Sequence, residues 1–280
     1  MIPVQFDYAA PESLDEAIRL LDEGGEDAKP LAGGHSLLPL MKLRLAAPSL
    51  LVDLRKVPGL HGIQRENGSY RIGSMTTHAE LEEASALGLV SRAAASIADR
   101  QVRHRGTIGG SLAHGDPASD LPAVLLAAEG AVTVRGPAGQ REVAAADLFQ
   151  DYLTTAIQPG EVITEVRVPA LEGWGFGYEK LNRRSEDWAM VGVSALVQVT
   201  DGVVSDVRVG LTNMGPTPLR ARAVEEALRG RPAEAQAIAR AAEQAAEGTD
   251  PPGDLNATPA YKQHVARVLT RRALEAATRT

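Results

Sequence analysis

The chain has 280 residues, room for two domains of the usual ~100 to 200 residues, and its 44% hydrophobic and 23% charged content excludes a disordered protein. A formal net charge of -7 argues against a nucleic-acid partner, which needs a clustered excess of Lys and Arg. With no cysteine, the chain supplies neither disulfides nor the thiolates of iron–sulfur clusters or structural zinc, so any such centre belongs to another chain.

The opening residues lack the basic segment and apolar run of a signal peptide, and no stretch approaches the ~18 apolar residues that span a bilayer. No membrane span and a cytoplasmic location are therefore expected. Ser13 with Glu16 has the form of a helix-capping box, and Leu14, Ile18 and Leu21 recur at helical spacing up to Gly24-Gly25, which predicts a first helix. A short apolar run over 29–32 leads into a glycine pair, a helix over 37–43 and a strand over 50–53. Residues up to about 54 thus read as a small βαβ-like unit.

Beyond Pro58 the pattern predicts a strand over 70–73, a helix to about 86 opened by the capping box of Thr77 and Glu80, and a helix over 89–99. Residues 101–120 are rich in glycine and basic groups and read as a long loop, a kind that is usually functional or disordered. A helix over 121–128 and strands over 131–135, 141–143 and 161–168 follow, and 169–173 reads as a domain boundary. Past it come strands over 176–181, 191–200 and 203–211, the last two joined by the hairpin dipeptide Asp201-Gly202. Helices over 219–229, 232–247 and 259–277 complete the chain. A three-stranded meander with helices on one face makes this second part an α+β domain.

Two glycine pairs carry the candidate chemistry. In Ala32-Gly33-Gly34-His35-Ser36-Leu37 the glycines let backbone N–H groups approach a phosphate, Ser36 can donate a hydroxyl, and a helix follows. An ordinary glycine turn is the plain alternative. Thr107-Ile108-Gly109-Gly110-Ser111 offers a second backbone-amide nest, with Asp116 and Asp120 able to accept from ribose hydroxyls or an adenine amine; a glycine hinge followed by a helix-capping aspartate is the alternative. Together they suit a dinucleotide held between two small α/β lobes. No G-x-G-x-x-G follows a strand and no P-loop motif occurs, so Rossmann and P-loop readings lose their support. His35, His104 and His114 lie near these segments without a metal-ligand spacing, and no metal site is predicted. Arg100, Arg103, His104 and Arg105 read either as a face toward a diphosphate or partner, or as an exposed, salt-bridged surface. Trp174, Trp188, Leu269 and Leu274 are expected in the core.

AGGHSLLPLMKLR and TIGGSLAHGDPASDLPA resemble the two flavin loops of the FAD-binding medium subunits of the xanthine dehydrogenase family, carbon monoxide dehydrogenase medium subunits in particular. The likeness extends to the FDY opening, to YEKLNRRSEDWAMVGVSA and to YKQHVARVLTRRAL. It implies an α+β chain: a two-lobed PCMH-type (vanillyl-alcohol-oxidase-like) FAD-binding domain over 1–172, with lobes about 1–54 and 55–172, then a C-terminal flavoprotein domain over 173–280 of a three-stranded antiparallel sheet and helices. It implies FAD, with the residues from Ala32 to Ser36 and from Thr107 to Ser111 at the diphosphate, Asp120 on the adenosine side, and Ile163 and Lys180 near the isoalloxazine ring or ribityl chain. A lysine there would stabilise the reduced, anionic flavin; a solvated strand-end lysine is the alternative.

Many members of that family have Gln where His35 stands and commonly Asn where Ser111 stands, so those hydrogen bonds differ in this chain. The resemblance also implies partners: a large molybdenum-cofactor subunit that oxidises substrate and a small subunit with two [2Fe-2S] clusters, in a dimer of heterotrimers. No catalytic residue is then expected on this chain, which would carry electrons. A standalone flavin reductase or oxidase would need a positioned acid or base beside the flavin, and a non-catalytic nucleotide-binding scaffold would have little use for two glycine segments.

Overall fold

A computed structural model describes residues 2–279. The first lobe runs β1 (Asp7–Ala9), α1 (Leu14–Gly24), β2 (Ala28–Leu31), α2 (Leu37–Lys42) and β3 (Leu50–Asp53), with the strands parallel in the order β1-β3-β2. α1 forms where its spacing predicts: Ala17, Ile18 and Leu21 are buried, Ser13 Oγ accepts from the Glu16 N–H at 3.2 Å, and Gly25 ends the helix at φ 57°. The capping box is incomplete, because the Glu16 carboxylate takes the N–H of Glu12 rather than that of Ser13. Strand β1, with only three residues and little burial, escapes the sequence pattern. Ala17, Leu21, Val52 and Leu54 pack with Met75 and Val162 from the next lobe, so the two lobes share a small core.

The second lobe contains β4 (Ile63–Glu66), β5 (Ser69–Gly73), α3 (His78–Glu83), α4 (Leu89–Ala94), α5 (Arg100–Arg103), α6 (Ile108–His114) and α7 (Asp120–Ala127). It closes with β6 (Ala131–Gly136), β7 (Gly139–Ala144), α8 (Ala145–Leu148), β8 (Phe149–Asp151), β9 (Thr154–Thr155) and β10 (Val162–Pro169). Its main sheet is antiparallel in the order β4-β5-β10-β6-β7. Asn67 and Gly68, at φ 50° and 75°, make the tight hairpin that creates β4, a strand the sequence reading passes over.

Two expectations are corrected in this lobe. The helix predicted over 89–99 stops at Ala94, because Ala98 turns to φ 43° and Asp99 serves instead as the cap of α5, accepting from the Val102 N–H at 2.8 Å. The long loop predicted over 101–120 is mostly helical. Thr107 caps α6 by accepting from the Gly110 N–H at 3.1 Å, and Gly115 closes it at φ 64°. Gly109 lies in that helix where a Cβ would fall 2.5 Å from Ser74 Cβ, so its glycines serve close packing rather than loop freedom.

The C-terminal part holds β11 (Trp174–Leu181), β12 (Val191–Thr200), β13 (Val203–Thr212), β14 (Leu219–Arg220), α9 (Arg222–Leu228), α10 (Ala235–Ala242) and α11 (Pro259–Ala277). The strands are antiparallel in the order β11-β12-β13-β14. Among the described residues β14 adds a fourth strand to the three expected, since Leu219 and Arg220 pair with Leu211 and Gly210 before α9 begins. The helix predicted over 232–247 is shorter, α10 followed by a 3-10 turn. Alternation along β12 divides its side chains: Val191, Val193, Ala195 and Val197 join the core under α9, α10 and α11, while Leu196 joins the core of the second lobe. The sheet is therefore covered on both faces rather than one. On the second face lies α7, so close that a Cβ on Gly210 would sit 2.3 Å from the Ala123 carbonyl oxygen, and Ser194 Oγ donates to that oxygen at 3.2 Å. This seating carries Asp120, at the start of α7, to β11.

Candidate functional site

A cleft of about 500 Å³ opens between the lobes, within the ~300 to 1,000 Å³ usual for small-molecule sites. The two glycine segments meet along it. A Cβ on Gly33 would fall 2.2 Å from the Arg105 carbonyl oxygen, so backbone meets backbone there with no space for a side chain, and a Cβ on Gly110 would reach Ala32 Cβ at 3.4 Å. Gly34 turns the first segment at φ 81°. Among the described residues the N–H groups of Gly33, Gly34, His35 and Ser36 have no acceptor, and Ser36 Oγ makes no cap for α2.

The second segment differs from its expected amide nest. Its N–H groups are spent inward: Ile108 to Thr76 O at 3.0 Å, Gly109 to Ser74 O at 2.8 Å, Gly110 to Thr107 Oγ1 at 3.1 Å and Ser111 to Thr107 O at 3.0 Å. What it turns toward the cleft is hydroxyl chemistry, from Thr107 and from Ser111, whose Oγ lies 2.7 Å from Ser119 Oγ. Of the residues singled out in the sequence, Ala32, Gly33, Gly34, His35, Ser36, Leu37, Thr107, Gly109, Gly110, Ser111, Asp120, Ile163 and Lys180 line the cleft. Ile108 and Asp116 do not line it. Ile108 is on the buried face of α6, and the Asp116 carboxylate accepts from the Ala118 N–H at 2.8 Å beside His114.

Asp120 and Lys180 are partners: Lys180 Nζ lies 3.0 Å from Asp120 Oδ2 and donates to Ser96 O at 3.2 Å. Tyr178 donates its hydroxyl to Asp120 Oδ1. Burial pushes the Asp120 carboxyl up, opposed by the Lys180 charge and both hydrogen bonds, and burial beside Asp120 holds the Tyr178 phenol well above its ordinary range. The fold thus brings Asp120, read from the sequence on the adenosine side, and Lys180, read near the ring or ribityl chain, to one place in the cleft. Tyr178 is a residue the sequence reading misses, although its place two residues before Lys180 on a strand puts both on one face.

His78 and Ser74 also line the cleft without having been singled out, and His78 Nδ1 and Ser74 Oγ are buried with no hydrogen-bond partner. Burial, then His35 and Arg103, pushes the His78 imidazole down to about 4, so it is neutral at ordinary pH. Trp188 is not a core residue: it is 51% exposed at the rim of the cleft, whereas Trp174 is half-buried beneath the Arg208 guanidinium. Arg103 is held by Glu82 at 2.7 Å and by the Ile97 and Ala98 carbonyls, which resolves that part of the basic run as structural. Unengaged amides, a glycine seam and buried polar atoms without partners are what a bound dinucleotide diphosphate requires, and the residues fit one.

The family described as the FAD binding domain in molybdopterin dehydrogenase matches residues 4–171, more than half of the chain. The chain belongs to that family. Residues 176–277 match the CO dehydrogenase flavoprotein C-terminal domain. It is 43% identical to the carbon monoxide dehydrogenase medium chain of Hydrogenophaga pseudoflava over 99% of this chain and 98% of that one. It is 39% identical to the 6-hydroxypseudooxynicotine dehydrogenase complex subunit alpha of Paenarthrobacter nicotinovorans, over 98% and 95% of the two chains. A solved structure, reconstituted CO dehydrogenase from Oligotropha carboxidovorans, superposes with a TM-score of 0.97 at 41% identity, covering 100% of this chain and 99% of that one. The resemblance read from the two glycine segments is thereby borne out, and FAD is the cofactor. Among the described residues no helix is long and apolar enough to cross a membrane.

Proposed function

We propose that the chain is the flavin-carrying electron-transfer subunit of a molybdenum hydroxylase, taking electrons from [2Fe-2S] clusters of a small subunit and passing them to an external acceptor. Substrate is oxidised on a large molybdenum-cofactor subunit. The observation that carries this reading is the cleft, which joins four unengaged amides to a buried carboxylate–ammonium pair. The N–H groups of Gly33, Gly34, His35 and Ser36 bind the FAD diphosphate, with the Thr107 and Ser111 hydroxyls on the opposite wall. Ile163 forms an apolar wall, and Asp120 acts with Lys180 at the flavin end. When bound, FAD supplies a redox group that takes electrons singly and releases one or two. Lys180 stabilises the negative charge of its reduced form.

Residues 1–172 form the FAD-binding domain, with lobes about 1–54 and 55–172, and 173–280 the C-terminal flavoprotein domain. The complete lack of cysteine supports iron–sulfur clusters on another chain, and the names medium chain and complex subunit among the relatives support a multisubunit enzyme. We take the assembly to be a dimer of heterotrimers in the cytoplasm.

Gly33→Ala tests the site. Its Cβ would press on the Arg105–Gly106 backbone, which cannot rotate aside, so the seam must open. FAD content after co-production with the partner subunits is expected to fall about tenfold or more, the equivalent of ~1.4 kcal/mol, with an unchanged circular dichroism spectrum. Full flavin occupancy in both Gly33→Ala and Gly110→Val would show that these segments do not hold the diphosphate.

A further inference from the structure

We propose that Tyr178 is a positioning residue that keeps Asp120 ionised and thereby sets the charge that Lys180 presents to the bound flavin. The inference rests on the reading above that Lys180 faces the flavin. Each Asp120 oxygen has one side-chain donor, Tyr178 on Oδ1 and Lys180 on Oδ2. Asp120 is 4% exposed and Tyr178 is 5% exposed, so water does not replace either donor. The fold makes space for this hydroxyl: Gly192 on the neighbouring strand lacks a Cβ that would lie 3.3 Å from it.

The titratable or charged groups facing Asp120 are Lys180 and Tyr178, both from β11. The other polar neighbours of the trio are neutral and come from Ser96 beyond α4: its carbonyl, which accepts from Lys180, and its hydroxyl beside the Tyr178 phenol. Ionised, Asp120 cancels the Lys180 charge and the trio is neutral. Burial already drives the carboxyl toward its protonated form, and the two donors oppose it. Without the Tyr178 hydroxyl, Oδ1 loses its side-chain donor inside the protein and the neutral acid is favoured. A proton then enters from solvent, Lys180 loses its counter-charge, and the cleft gains one positive charge. That charge favours the reduced, anionic flavin.

The test is an anaerobic redox titration of the flavin absorbance in the FAD-loaded full chain, co-produced with its partner subunits, from about pH 6 to about pH 9. Tyr178→Phe is expected to raise the ratio of reduced to oxidised flavin at fixed potential about tenfold at the acid end, about 30 mV for a two-electron couple, with less effect at the alkaline end. Asp120→Asn should shift it in the same direction at every pH. Adding Tyr178→Phe to Asp120→Asn should shift it no further, because the charge that the hydroxyl protects is already gone. Lys180→Met should shift it the opposite way.

A Tyr178→Phe protein that titrates like the wild type while Lys180→Met shifts overturns the proposal and leaves Lys180 beside the flavin. A Lys180→Met protein that matches the wild type removes the premise and the proposal with it. A Tyr178→Phe shift that persists undiminished in the Asp120→Asn background marks a packing effect and also overturns it. If Tyr178→Phe retains no FAD, Asp120→Asn decides: an unshifted potential there overturns the proposal.

Discussion

His78→Asn exchanges a buried imidazole for a side chain that does not titrate, in a slot so narrow that a Cβ on Gly106 would lie 2.7 Å from the imidazole Cδ2. In the folded chain, burial reinforced by His35 and Arg103 pushes the imidazole from 6.5 down to about 4. The unfolded chain titrates near ~6.5 and so binds a proton that the folded chain refuses throughout that window. Stability present above the unfolded value is therefore lost as pH falls, at ~1.4 kcal/mol per unit, and amounts to about 3 kcal/mol by the folded value. The Asn variant loses packing at every pH but has no such slope. Urea unfolding of both proteins from about pH 7.5 to about pH 4.5 should show the wild-type advantage shrinking by about 2 to 3 kcal/mol, most of it below about pH 6.5. A stability difference that stays constant with pH refutes a buried neutral His78.

Thr77→Ala removes one half of a reciprocal cap in which Thr77 Oγ1 accepts from the Glu80 N–H at 3.3 Å and Glu80 Oε2 accepts from the Thr77 N–H at 2.7 Å. A loss of about 1 kcal/mol is expected in chemical denaturation, and Thr77→Ser should recover most of it. Glu225, 1% exposed, accepts from the Val209 N–H at 2.9 Å and from Arg220 Nε at 2.6 Å, so Glu225→Ala strands a buried amide and leaves the Arg220 guanidinium only Glu129 and the Leu126 carbonyl. It should cost about 3 to 5 kcal/mol, read as a lower urea midpoint; a cost below about 1 kcal/mol would mean that water or Glu129 replaces the lost carboxylate.

Elements bounded by chemistry within a few residues are legible in the sequence itself. α11 opens where Thr258 caps it and Pro259 supplies a preset φ, and the hairpin between β12 and β13 turns at Asp201 and Gly202 with φ 51° and 77°. Both glycine segments can likewise be picked out from their residues, because the open amides at Gly33 and Gly34 belong to the segment's own backbone. Where local chemistry is ambiguous the reading fails. Thr107 and Gly115 are good signals for the two ends of α6, but the glycines between them outweigh the signals unless Ser74 is known to press on Gly109. Asp99 can extend one helix or cap the next, and only the packing around Ala98 chooses.

The composition and the local caps already establish a folded, cysteine-free chain of helices and strands with a glycine-paired turn in its first lobe, since each depends on groups that lie beside one another along the backbone. The charge partner of Lys180 is not among them. Asp120 meets Tyr178 and Lys180 across 58 and 60 residues, and it does so because Gly210 of the C-terminal sheet lets α7 lie directly on it. A sequence offers a carboxylate, a phenol and an ammonium; burial in one pocket is what makes them exchange charge, and burial is a property of the packed chain alone.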